Sequence, residues 1–247
     1  MKTYLTILRT ELKLSLRGVD MLIFAICMPV VVFLILGAVF GSRPAFPGAS
    51  YTFLEQSFGA VTTISICAGG VMGLPLVISD YRSKKILKRL KVTPVSPVLL
   101  LIVQVSVYTL YSLASLLLVY AAAALFFGYR MSGSWPLFLA CYALVMFSTF
   151  SIGMLVGGIA PDSKTAGVIA SLLYFPMLIF SGATLPLEVM PEAFRTVVGI
   201  LPLTQGITLL KAASLGLPLE NVLFSLIVIL AVGAICTAVS LRFFRWE

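Results

Sequence analysis

Six long runs of this chain contain no charged residue at all: 21–42, 56–79, 92–129, 131–161, 165–187 and 221–241. A segment that crosses a bilayer needs about 20 predominantly apolar residues, so each run is long enough for one crossing. Only 11% of the 247 residues are charged and 60% are hydrophobic, whereas about a quarter of a soluble domain is charged. Within lipid every backbone polar group must be satisfied internally, which leaves helices and closed barrels. Barrel strands alternate apolar and polar residues over about 10 positions, and these runs are continuous. The expected fold is all-α and integral to a membrane, with six transmembrane helices in a single domain over residues 1–247. The run at 92–129 exceeds a hydrocarbon core of about 30 Å, so its helix should project or tilt. A shorter run, 196–210, is interrupted by Pro202 and suits a re-entrant or interfacial element.

The first run follows twenty residues with four basic groups, Lys2, Arg9, Lys13 and Arg17. It is longer than the apolar stretch of about 7–15 residues in a signal peptide, so it reads as a retained span. With the N-terminus inside, the internal segments carry those four and Arg82, Lys84, Lys85, Lys88, Arg89, Lys91, Lys164, Arg242 and Arg245. The external segments keep Arg43, Arg130, Arg195 and Lys211. That bias predicts a multi-pass protein with both termini in the cytoplasm. It also accounts for the net charge of +8 without invoking nucleic acid.

Residues 1–20 contain an amphipathic interfacial helix. Tyr4, Leu5, Leu8, Leu12 and Leu16 share one face at 100° per residue, and Arg9, Lys13 and Arg17 occupy the other. It serves either as an anchor or as an elbow that carries force from a cytoplasmic partner. Gly69 and Gly73, and likewise Gly153 and Gly157, have the small-xxx-small spacing that lets helices approach. Packing within the chain and a subunit interface both use it. Tyr129, Trp135 and Tyr142 suit an interfacial aromatic belt. Residues 183–219, punctuated by Pro186, Pro191, Pro202 and Pro218, form the most ordered external segment, with a helical pattern through Met190, Phe194, Val197, Val198 and Leu201.

The chemistry that is missing narrows the function. The chain has no histidine, and Cys27, Cys67, Cys141 and Cys236 lie in four different apolar runs, so no metal site is expected and the cysteines read as small buried hydrophobes. Gly158–Thr165 is spaced like a phosphate-binding loop, but Ser163 stands where the second glycine belongs. No ionisable residue falls inside a run, whereas ion-coupled carriers need intramembrane charges. Energy for uphill transport would have to come from another polypeptide. The conspicuous handle is the cytoplasmic loop at 80–97, where Ile86, Leu87 and Leu90 form an apolar stripe among Arg82, Lys84, Lys85, Lys88, Arg89 and Lys91. Such a stripe fits a partner's groove, and such a charge density also suits anionic headgroups.

Two stretches resemble a known family. Arg82 to Ser96, ending Leu90-Lys91-Val92-Thr93-Pro94-Val95-Ser96, is similar to the coupling segment R-E-x-G-T-L-E-R-L-x-V-T-P-x-S of type-2 ABC exporter permeases. Ser181-Gly182, Pro186, Met190-Pro191, Phe194 and Pro202-Leu203-Thr204 with Ile207 and Leu210-Lys211 resemble the family's segment before the last span. The resemblance implies a permease that binds no cofactor and dimerises with itself or a paralogue. Two separate cytoplasmic ATPase subunits would hold ATP and Mg and drive export of an amphipathic, drug-like or lipid-like substrate. It implies ATPase coupling through Arg82, Lys84, Lys85, Ile86, Leu87, Lys88, Arg89 and Leu90. It also implies a substrate path along Phe58, Thr62, Thr63, Tyr174 and Phe175, and an external gate at Pro186, Met190, Pro191, Phe194 and Pro202. This chain departs from the motif at Ser83, Lys85-Ile86 and Lys88, where the family has acidic residues and Gly-Thr, so its ATPase should present a more acidic groove. The competing reading is a non-ABC channel or scaffold, which would purify without an ATPase.

Overall fold

The computed structural model describes residues 2–41, 43–46, 48–86, 96–184, 198–218 and 222–243. Its helices are α1 (Lys2–Arg17), α2 (Ile23–Phe40), α3 (Phe53–Ser83), α4 (Pro97–Phe127), α5 (Trp135–Ile159), α6 (Ser163–Phe180), α7 (Pro202–Leu215) and α8 (Leu223–Phe243). All but α1 and α7 are long and apolar enough to cross a membrane, so the chain is an all-helical bundle with six candidate spans. Among the described residues the only β pairing is an isolated bridge between Pro44 and Thr52.

Helix ends follow local chemistry. The Thr52 hydroxyl accepts the Glu55 N–H while the Glu55 carboxylate accepts the Thr52 N–H, a reciprocal cap that starts α3. Ser96 caps α4, Pro97 occupies its first turn, and Gly128 ends it at φ 64°. Asp162 caps α6 by accepting the Thr165 N–H at 2.8 Å. That bond is the main reason its carboxyl is held below the ordinary carboxylate range.

Two helices contain a widened, π-type turn, Ile23–Cys27 in α2 and Ala68–Gly73 in α3. Each lies just before a proline, Pro29 and Pro75. A proline lacks the N–H and clashes with the carbonyl four residues back, and the wide turn relieves both faults. At 31 residues α4 is about 46 Å long, so the long run does overhang a hydrocarbon core of about 30 Å.

α3 is the axis of the bundle: 83% of its apolar stretch is buried, against 22% in α2 and α8. Small residues bring α5 and α4 onto it. A Cβ at Gly153 would overlap the Gly70 carbonyl oxygen, and one at Gly157 would lie 3.0 Å from Pro75 Cα. A Cβ at Gly73 would meet the Tyr108 ring of α4 at 2.5 Å. Both glycine pairs are therefore used for packing inside the chain. At the far end of α3, Phe58 joins an aromatic cluster, 4.9 Å from Tyr129, 5.6 Å from Phe138, 6.0 Å from Tyr120 and 6.2 Å from Phe33 by ring centroid.

That cluster corrects the aromatic belt. Tyr129 and Tyr142 are core residues, with the Tyr142 hydroxyl donating to the Ser112 carbonyl at 2.9 Å, and Trp135 alone of the three keeps a substantial exposed face. Cys67 and Cys141 are buried as expected, but Cys27 is exposed on the outer side of α2.

α1 also rotates relative to its sequence-based face. Tyr4, Ile7, Leu8 and Leu12 pack on the bundle with Glu11 and Ser15 in the same stripe, while Leu5 and Leu16 stay exposed. Three polar ties set the rotation. Tyr4 donates to Ser106 Oγ at 2.8 Å, Tyr111 donates to Ser15 Oγ at 2.9 Å, and Glu11 accepts from Tyr81 and Gln104.

Candidate coupling site

The last turn of α3 is clamped to four other helices. Arg82 is 6% exposed and its Nη1 donates to the Gly158 carbonyl at 2.9 Å. Gly158 lies in the last turn of α5, where carbonyls have no intrahelical donor and carry the negative end of the helix dipole. A guanidinium satisfies both. Tyr81 donates to Glu11 Oε2 of α1 at 2.5 Å, and Gln104 Nε2 of α4 donates to Glu11 Oε2 and Tyr81 Oη, each at 2.8 Å. Ser83 Oγ lies 3.3 Å from Ser163 Oγ at the start of α6. A force applied just beyond Ser83 is thus transmitted into α1, α4, α5 and α6 as well as along α3.

Beyond this clamp the chain leaves the helix at Lys85, whose φ of 58° is left-handed. Lys84 and Lys85 are exposed, and Lys84 pairs with Asp80 at 2.8 Å on the surface. Ile86 turns back onto Tyr81 and Leu100. Of the eight residues assigned to coupling, Arg82 therefore works as an internal anchor, Ile86 is partly buried, and Lys84 and Lys85 face outward. Leu87, Lys88, Arg89 and Leu90 lie outside the described residues. The position of Lys85 matches the glycine of the coupling motif that the sequence resembles. The left-handed region costs a side chain about 1–2 kcal/mol and costs glycine nothing. Lys85→Gly is expected to raise stability by about 1 kcal/mol in thermal or denaturant unfolding of the purified chain.

The residues assigned to a substrate path separate into two environments. Phe58, Thr62 and Thr63 are fully buried, and the two threonine hydroxyls donate to the Gly59 and Ala60 carbonyls at 2.8 and 2.7 Å. Within the single chain they pack between helices. Tyr174 is 5% exposed, whereas Phe175 is 53% exposed on the outer face of α6 beside Val168, Leu172 and Ile179. Of the gate residues, Pro202 opens α7; Pro186, Met190, Pro191 and Phe194 lie outside the described residues, as does most of the helical pattern read there. α7 is 14 residues, about 21 Å, and is buried against α3, α5 and α8. Beside it, at the end of α3 opposite the clamp, a cavity of about 180 Å³ is lined by Gln56, Ser57, Thr184, Thr208 and Lys211, among others.

A model of the family described as ABC-2 type transporter matches residues 2–215, from α1 to the end of α7. The chain belongs to the ABC-2 type transporter family. Its relatives include the "Inner membrane transport permease YhhJ" of Escherichia coli (strain K12), 31% identical over 48% of this chain and 32% of that protein. "Nodulation protein J" of Rhizobium leguminosarum bv. viciae is 33% identical over 38% of this chain and 34% of its own. "Nodulation protein J" of Rhizobium meliloti (strain 1021) is 34% identical over 41% and 37% respectively. The alignments thus span about a third of the length of these relatives.

The clamp is less visible in the sequence than the cations beyond it. Glu11 is the one acid in α1 and Gln104 the one amide in the run 92–129. Neither stands out, since α1 carries other charges and the run 92–129 other polar residues, so their pairing becomes visible only in the fold.

Proposed function

We propose that this ABC-2 permease forms one half of an exporter. It pairs with a second copy or a paralogue and is driven by two separate ATPase subunits that hold ATP and Mg. The observation that carries this reading is the clamp: the exposed Lys84 and Lys85 follow directly on a turn that bonds to four other helices. An ATPase pulling on residues 84–91 would move the bundle axis rather than a loose loop. Both termini would lie in the cytoplasm of the inner membrane, consistent with the distribution of lysine and arginine.

The outward apolar stripe of α6, Val168, Leu172, Phe175 and Ile179, is one of several exposed apolar faces, and we assign it to the second permease and the central path. Tyr174 lies directly behind it. An uncharged, aromatic-bearing path favours an amphipathic, drug-like or lipid-like cargo. α7 and the segment before it would act as the re-entrant external gate.

The test is co-purification with the ATPase and transport in proteoliposomes. Lys85→Glu with Lys88→Glu places like charges against an acidic groove, a juxtaposition that costs several kcal/mol. We expect transport per ATP to fall about tenfold or more. A native level of coupled turnover, with the complex intact, would overturn the coupling role.

A further inference from the structure

On the other side of the clamp, between α1, α3 and α4, lies a cavity of about 320 Å³. Its polar lining consists of Glu11, Ser15, Asp80, Tyr81, Gln104 and Tyr108, and Leu14, Leu76 and Val77 supply apolar walls. At an end of the bundle where basic residues predominate, this cavity gathers two carboxylates.

The lining carries hydroxyls that can donate as well as accept, and several acceptors that the protein leaves unused. Gln104 is 3% exposed and spends both bonds of its Nε2 on Glu11 and Tyr81, leaving its carbonyl oxygen with no hydrogen bond among the described residues. Tyr108 is 2% exposed, and its hydroxyl likewise makes none among the described residues. Glu11 uses one carboxylate oxygen for Tyr81 and Gln104, and the other makes no hydrogen bond among the described residues. These atoms are not sealed inside the protein but open into the cavity, where a ligand that brings donors can meet acceptors the helices leave unused. A positive charge satisfies the carboxylates. The cavity rim already shows the interaction: the Lys84 ammonium sits 2.8 Å from Asp80, in a pair exposed enough to exchange.

We propose that this cavity binds a small organic ammonium ion carrying an apolar group. Glu11 and Asp80 supply the charge, Gln104 and Tyr108 accept its N–H groups, and Leu76 and Val77 hold the apolar part. The site is built by this chain alone and requires neither an ATPase nor a second permease.

The experiment uses the full-length chain in phosphatidylcholine nanodiscs, with calorimetric titration of phenethylammonium and empty nanodiscs subtracted. Saturable binding is expected, with the neutral 2-phenylethanol at least about tenfold weaker because it lacks the charge-assisted bonds. Glu11→Gln keeps the size of the side chain and is expected to weaken the amine about tenfold without changing the alcohol. Asp80→Asn should act in the same direction and replaces Glu11→Gln if that variant does not fold. Absence of amine binding, equal binding of amine and alcohol, or native affinity in the folded carboxylate variants would overturn the proposal.

Discussion

Gly153→Ala is expected to cost the bundle about 3 kcal/mol, whereas Gly167→Ala should cost nothing. Helix propensity alone predicts that both substitutions stabilise, since glycine is about 1 kcal/mol worse than alanine inside a helix. Space decides the sign. The new Cβ at 153 would overlap the Gly70 carbonyl oxygen, lie 3.0 Å from the Gly70 carbonyl carbon and 3.3 Å from Leu74 Cβ. The obstacle is backbone, and the wide turn Ala68–Gly73 that presents it is buried on nearly all sides. Neither helix can move without unpacking others. At Gly167 the nearest atom is the tip of Leu76, 3.5 Å away, an ordinary contact. Unfolding both variants beside the parent in one detergent measures the difference. A Gly153→Ala variant of native stability would mean that α3 and α5 do not approach at this point.

That contact shows what the sequence could and could not convey. Six charge-free runs give six candidate spans because the cost of burying charge in lipid is large and local. The ends of the spans were less legible, because a count of charges cannot see partners. The run 56–79 stops at Asp80, yet the helix continues to Ser83: Arg82 finds the Gly158 carbonyl and Asp80 finds Lys84. Small-xxx-small spacing identified glycines that approach another helix without saying which. Gly153 meets α3, while Gly69 and Gly73 meet Tyr108 of α4.

The functional region divides in the same way. The cations of 80–97 are visible in any reading of the chain, because charge density is a property of sequence. The anchor behind them is tertiary. Glu11 and Gln104 are 93 residues apart and each looks unremarkable in its own helix. The rotation of α1 that exposes Leu5 and Leu16 follows from these polar ties, whereas periodicity alone placed both on the packed face. Phe58, Thr62 and Thr63 belong to the span that forms the core of the protomer, a placement that position along the chain does not reveal. Residues in a core span bury their side chains against neighbours whatever their chemistry.

Arg82→Met is expected to lower stability by about 2 kcal/mol, the scale of a lost hydrogen bond to a charged group, and to impair coupling more than that loss explains. The methionine fills similar space but gives the Gly158 carbonyl no donor, so the last turn of α5 loses its cap. Arg82→Lys should recover only part of the effect, since a point ammonium on a flexible stem does not reproduce the guanidinium's planar set of donors. The functional consequence separates anchor from packing. A generic destabilisation reduces the amount of folded transporter and leaves transport per ATP unchanged in what remains. Loosening the clamp instead lets residues 84–91 move without carrying α5, so ATP hydrolysis should persist while transport per ATP falls. Proteoliposomes holding the permease and the proposed ATPase partner give both rates, and Gly153→Ala, in whatever fraction still folds, supplies the packing control. Equal transport per ATP in Arg82→Met and the parent would show that force reaches the bundle by another contact, with the Ser83–Ser163 approach to α6 the next to break.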